Sequence, residues 1–165
     1  PDAPHQVNLT DGASLHRDGM TLATRAYIDL TARVLSREDS TWDPGAKLAP
    51  VDLALGWGRM SDSAVLANFD ISQSGRFFYW RTKTWPIPRT EIELSTANVH
   101  MIPADAGVRG ALKRVRKGQL VHIEGFLVDA SGPNGWRWTT SMTRSDTGAC
   151  ACELVYVESL DVIDG

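Results

Sequence analysis

The chain has 165 residues, 42% hydrophobic and 22% charged, with a net charge of −3. That length is enough for one domain with its own core, without help from metals or disulfides. The charge balance excludes the basic excess of nucleic-acid binders and the acidic runs of solvating tails, and no stretch approaches the roughly eighteen apolar residues of a membrane-spanning helix.

The first 26 residues, opening at Pro1 with "PDAPHQVNLTDGASLHRDG", read as an irregular polar leader, as expected of a processed or trimmed chain. A single domain is expected over 27–165. In "AYIDLTARVLSRE", Ile28, Leu30, Ala32 and Val34 alternate with Asp29, Thr31 and Arg33, the period of a half-buried strand, predicted near 27–36. "VDLALGWGRMSD" is a short apolar run closed by two glycines, and Ser61 or Asp62 can cap a one-to-two-turn helix over "SAVLANF". "FDISQSGRFFYWRT" gives two strand pieces around Ser74 and Gly75, the second predicted over 76–82, while Pro86 and Pro88 confine "WPIPRT" to a loop or an edge.

"EIELSTANVHMIPAD" is strand-like through Ile102, and Asp105 then caps a helix predicted near 105–116 with Val108, Ala111, Leu112 and Val115 on one face. Lys113, Arg114, Arg116 and Lys117 fall in and just past its last turn, where positive charge complements the helix dipole. Strands over 119–130 and 136–143 meet at "GPNG", an Asn-Gly hairpin turn, and a last strand covers 152–160. The order predicts a mainly β domain with minor α (α+β): an OB-like or related small, partly open β-barrel with one helix between strands. Gly125 falls in mid-strand, where such a barrel would need to bend.

The combination of "PVDLALGWGRMSDSAV", "ISQSGRFFYWR", "ANVHMIPAD" and "RSDTGACACELVYV" resembles a family of uncharacterised bacterial proteins that are exported or membrane-associated. The resemblance runs from about Tyr27 to the C-terminus. It implies a self-contained domain and an extracytoplasmic location, and it supplies no catalytic residues.

Phosphate loops, His-Glu-x-x-His, Cys-x-x-Cys and Gly-x-Ser-x-Gly elbows are absent from the sequence, and no cofactor is expected. Four constellations remain. Cys152 or Cys150 with His100 or His122, oriented by Asp146 or Asn98, has the parts of a thiol nucleophile and its base. Against that, Cys152 is in step with Leu154 and Tyr156 and reads as a core residue, while Asn98, Pro103 and Asp105 each have a local structural role around His100, so neither cysteine is expected within reach of that imidazole. A metal at the Cys-x-Cys pair lacks further ligands at a sensible spacing, so no metal ligand is predicted. In "TRSDTGA", Arg144 and Asp146 read as a turn-shaping pair, the alternative being an anion site on Arg144.

The fourth is "GRFFYWRTKTW". Arg76, Tyr79, Trp80, Arg81 and Trp85 combine stacking surface with guanidinium charge, a ligand-binding pattern on barrel faces. Net negative charge favours a protein or glycan partner over nucleic acid. The sequence therefore predicts a non-catalytic exported binding or accessory domain; the alternatives are a Cys-His hydrolase or transferase, with Cys152, His100 and Asp146 as its residues, and a structural subunit of a larger assembly.

Overall fold

The computed structural model describes residues 1–41, 43–143 and 152–164. The described chain is mainly β with few helices. Among the described residues there are ten strands: β1 (His5–Asn8), β2 (Ser14–Arg17), β3 (Met20–Asp39), β4 (Val51–Gly56), β5 (Phe69–Ser74), β6 (Phe77–Thr82), β7 (Thr96–Pro103), β8 (Leu120–Ser131), β9 (Arg137–Trp138) and β10 (Cys152–Asp164). The helices are α1 (Ser63–Leu66), α2 (Arg89–Leu94) and α3 (Ala106–Arg114). Among the described residues no helix is long and apolar enough to cross a membrane.

Five strands pair into a ring in the order β3, β4, β7, β10, β8, and the long β3–β8 ladder returns to the start. All these pairings are antiparallel except β7 with β10. The ring's inner face follows from the period of two along each strand. Ile28, Leu30, Ala32 and Val34 of β3 meet Val51, Leu53 and Leu55 of β4, Val99 and Met101 of β7, Val121 and Ile123 of β8, and Val155 and Val157 of β10. Helix α3 adds Val108 and Leu112 to this core, joined by Val115 just past its end, and Asp105 caps it by accepting from Val108 N at 2.8 Å.

Gly125 is required for close approach: a Cβ there would overlap the carbonyl oxygen of Tyr156 on β10. The outer face of the ring is covered in part by the β5–β6 hairpin. Its Ile71, Phe69, Phe78 and Trp80 pack on Leu35, Ala54, Met60, Ile87 and Ile92.

Several expectations are corrected. The leader is not irregular, because β1 and β2 pair along β3, which itself begins at Met20. Val51–Gly56, read only as an apolar run, is a central ring strand with all six residues buried. "EIEL" is helical: Pro88 starts the turn, Ile92 is buried, and Arg89 and Glu93 pair at 3.0 Å one turn apart, a spacing that favours helix. The strand predicted over 136–143 shrinks to Arg137–Trp138, although Asn134 does take the positive φ of 60° that an Asn-Gly turn uses.

Candidate functional site

Alternation sends the even-numbered residues of β4, β7 and the first half of β10 to the outer face, and register brings them together. Asp52 lies directly opposite His100, Ala54 opposite Asn98, and on the other side of β7 Cys152 stands opposite Asn98 and Leu154 opposite His100. Asp52 and His100 are 0% and 2% exposed, and Cys152 is half-buried.

His100 Nδ1 is 2.9 Å from Asp52 Oδ1. The ring N–H does not point along that line, so the contact is a close ion pair rather than an aligned hydrogen bond. The Cys152 side chain shares this face and acts on the same imidazole. Burial opposes charge on the ring, but Asp52 and then Cys152 outweigh it and raise the His100 pKa from 6.5 to about 9. At neutral pH the ring is an imidazolium.

The β5–β6 turn supplies the next layer. Gly75 and Arg76 have φ of 58° and 71°, the pair of left-handed residues that a two-residue hairpin turn needs. Arginine at the second position is a strained choice costing on the order of 1 kcal/mol, and the contacts it makes explain its place. Its guanidinium grips Asp43 with two bonds, 2.6 and 3.0 Å, and reaches Asp52 Oδ1 at 2.6 Å. Burial works against the Arg76 charge, yet the two carboxylates hold its pKa above the usual value, and Arg76 in turn holds Asp43 below the carboxylate range. The Arg76 carbonyl accepts from Asn98 Nδ2 at 2.8 Å and from Cys152 Sγ at 3.6 Å.

Asn98 is fixed from its other end, where Gln73 Nε2 donates to Oδ1 at 2.8 Å, and its Nδ2 also lies 3.6 Å from Cys152 Sγ. Trp138 closes the cluster. Its ring centroid is 4.7 Å from that of His100, and Arg76 Cζ lies 4.9 Å from the indole. Gly45 makes room for that indole, since a Cβ there would overlap it. Beside Trp138 a cleft of about 220 Å³ is lined by Asp43, Pro44, Gly45, Arg76, Trp136 and Arg137.

One expectation about the cysteine is overturned: Cys152 does not point into the core, because its alternation partners Leu154 and Tyr156 face outward beneath covering elements rather than into the ring. It lies on the same face as His100 and is one of the groups that raise that ring's pKa. Asp146, Arg144 and Cys150 lie outside the described residues; the carboxylate behind His100 is Asp52. His122 is on a different part of the outer face, 2.7 Å from Asp29.

The five aromatic and arginine residues do not form one surface. Arg76 belongs to the buried cluster. Tyr79 is 53% and Trp85 57% exposed, and Arg81 projects with Tyr79. Trp80 packs downward, edge-on to Phe69 at 5.9 Å and to Trp85 at 6.0 Å. Sequence reading missed Asp43, Asp52 and Gln73. A signal existed for one of them: Asp52 is the single charge inside the run "VDLALG", and a carboxylate in a buried strand needs a partner.

No family model, no curated protein and no solved structure matches the chain.

Proposed function

We propose that Cys152, His100 and Asp52 are the reaction centre of a thiol-dependent hydrolase or acyltransferase, built on the outer face of an OB-like barrel. Support for the barrel reading comes from the five-strand ring with a helix between its third and fourth strands in chain order. The observation that carries the chemistry is one imidazole held between a buried carboxylate and a cysteine side chain, the nucleophile–base–orienter logic of covalent catalysis.

With Nδ1 turned to Asp52, the imidazolium carries on Nε2 the proton that the thiol has given up, and the sulfur stands beside it as the thiolate. The sulfur then attacks an acyl carbon, and the Asn98 Nδ2 hydrogen that lies toward Cys152 Sγ turns to the oxygen that gains charge. Collapse to a thioester expels the leaving group, which takes the proton from His100. A water or acceptor alcohol or amine, deprotonated by the now neutral imidazole, releases the acyl group and regenerates the thiolate beside the imidazolium. Arg76 and Asp43 act as positioning residues.

The test uses 4-nitrophenyl acetate with a Cys150→Ser background, so that a single cysteine is read. Intact-mass detection of an acetyl adduct on Cys152, absent in Cys152→Ser and strongly reduced in His100→Gln, is expected. Equal acetylation with and without His100 would sink the reading.

A second reading rests on a separate observation, the exposed side of the hairpin. Phe77, Tyr79 and Arg81 share it, and through it the domain would hold a protein or glycan partner in an extracytoplasmic setting, the location implied by the family resemblance. Loss of partner capture in Tyr79→Ala, with Cys152→Ser unaffected, would separate this role from the thiol chemistry.

A further inference from the structure

We infer that the outer face of β1, β3 and β8 is a binding site for a divalent first-row transition cation, with Asp29, His122 and Glu124 as ligands and His5 as a fourth donor. None of these residues belongs to the thiol centre. Register builds the site: Asp29 on β3 stands opposite Glu124 on β8 and opposite His5 on β1, and His122 lies one same-face position from Glu124. Residues that oppose each other across a ladder have Cβ atoms about 5 Å apart, so two imidazoles and two carboxylates crowd one patch of rigid sheet.

The atoms already converge. The ligand atoms of Asp29, His122 and Glu124 all lie within 4.8 Å of one another. Both carboxylates approach the same nitrogen, with Asp29 Oδ1 2.7 Å and Glu124 Oε1 3.7 Å from His122 Nε2. One N–H can serve only one of them well. A metal in place of that proton would bond all three, and bonds of about 2.0–2.2 Å set donor atoms about 3–3.5 Å apart, between the two separations observed. Small side-chain rotations suffice.

Charge points the same way. Among the described residues no lysine or arginine pairs with Asp29 or Glu124; Arg25 goes to Asp129, and Arg33 to the carbonyls of Ser61 and Gly118. Imidazole nitrogen beside carboxylate oxygen suits zinc better than magnesium or calcium. His5 is exposed on an edge strand and free to swing onto a bound ion, and the half-buried ligands leave room for water to complete the shell.

The experiment is calorimetric titration of the full chain with zinc chloride, and separately with magnesium chloride. One zinc equivalent is expected with at least tenfold weaker binding of magnesium. His122→Ala, its conservative companion His122→Gln, and Glu124→Gln should each weaken zinc at least tenfold, His5→Ala should weaken it less, and Cys152→Ser should leave it unchanged. Folding of each variant is read in parallel by circular dichroism. Absence of zinc binding, or binding that survives in both His122 variants, overturns the site. Binding lost in Cys152→Ser but not in His122→Gln would place the ion at the thiol and overturn it equally. Unchanged affinity in His5→Ala removes the fourth donor.

Discussion

Asp52 and His100 face each other across β4 and β7, Oδ1 to Nδ1 at 2.9 Å, with both side chains almost wholly out of water. A carboxylate there without a cation would cost several kcal/mol. The chain supplies two, and Oδ1 of Asp52 is shared between the imidazolium and the guanidinium of Arg76. The site's order therefore depends on charge balance, and its behaviour with pH and mutation follows.

The raised His100 pKa ties stability to pH. Because the folded value, about 9, lies above the unfolded value near 6.5, the contribution is fully present below about pH 6.5 and is lost as pH rises through about 9. It should amount to roughly 3 kcal/mol at most. Chemical denaturation from pH 6 to 10 should show this decline in the native sequence, and a flatter profile in His100→Gln. In Cys152→Ser, an NMR titration of His100 should give a pKa below that of the native sequence, since the sulfur is one of the groups that raise it; an unmoved value would deny the contact.

Removing Arg76 strands two acids. Arg76→Met should destabilise the fold by about 3–5 kcal/mol, as breaking a buried pair does. Adding Asp52→Asn should restore part of that loss, so that the double variant is more stable than the two single losses summed. Urea melts of the four-member cycle measure the coupling, and strict additivity would mean that Arg76 does not act through Asp52.

Gly45→Ala should push Trp138 off His100 and Arg76. The expected cost is about 1–3 kcal/mol for overpacking, together with a changed near-ultraviolet dichroism from the displaced indole. A variant with native dichroism and stability would mean that the ring has room to move.

The two faces of the hairpin should respond differently. Trp80→Ala opens the packing beneath it and should cost about 3–5 kcal/mol, while Tyr79→Ala and Arg81→Ala, on the exposed side, should stay within about 0.5 kcal/mol. Thermal melts of the three variants check this, and a large loss in Tyr79→Ala would indicate a packing role that its 53% exposure argues against.

Local pattern in the sequence was enough to place half of β3, the hairpin strands, α3 with its Asp105 cap, β8 and β10, because alternation and capping are carried by neighbouring residues. It misled where two periods compete. "EIEL" alternates as a strand would, yet Pro88 and the Arg89–Glu93 pair make it a helical turn. The site was legible only as parts. Cys152 and His100 stood out as residue types, but their meeting depends on β10 running parallel to β7, a pairing between segments 54 positions apart. Outward alternation of Leu154 and Tyr156 was read as inward because covering elements make an outer face as apolar as a core. His5, Asp29, His122 and Glu124 likewise gave no signal, since only register across three strands gathers them.

The most direct test of the central claim is the rate at which iodoacetamide alkylates Cys152 at pH 7, read by mass spectrometry in a Cys150→Ser background. If His100 and Asp52 activate the sulfur, the rate should fall at least tenfold in His100→Gln and should also drop in Asp52→Asn, with both variants still folded. A Cys152 that reacts at the same rate with and without His100 would contradict the account, and would leave the imidazole as a structural cation beside an ordinary thiol.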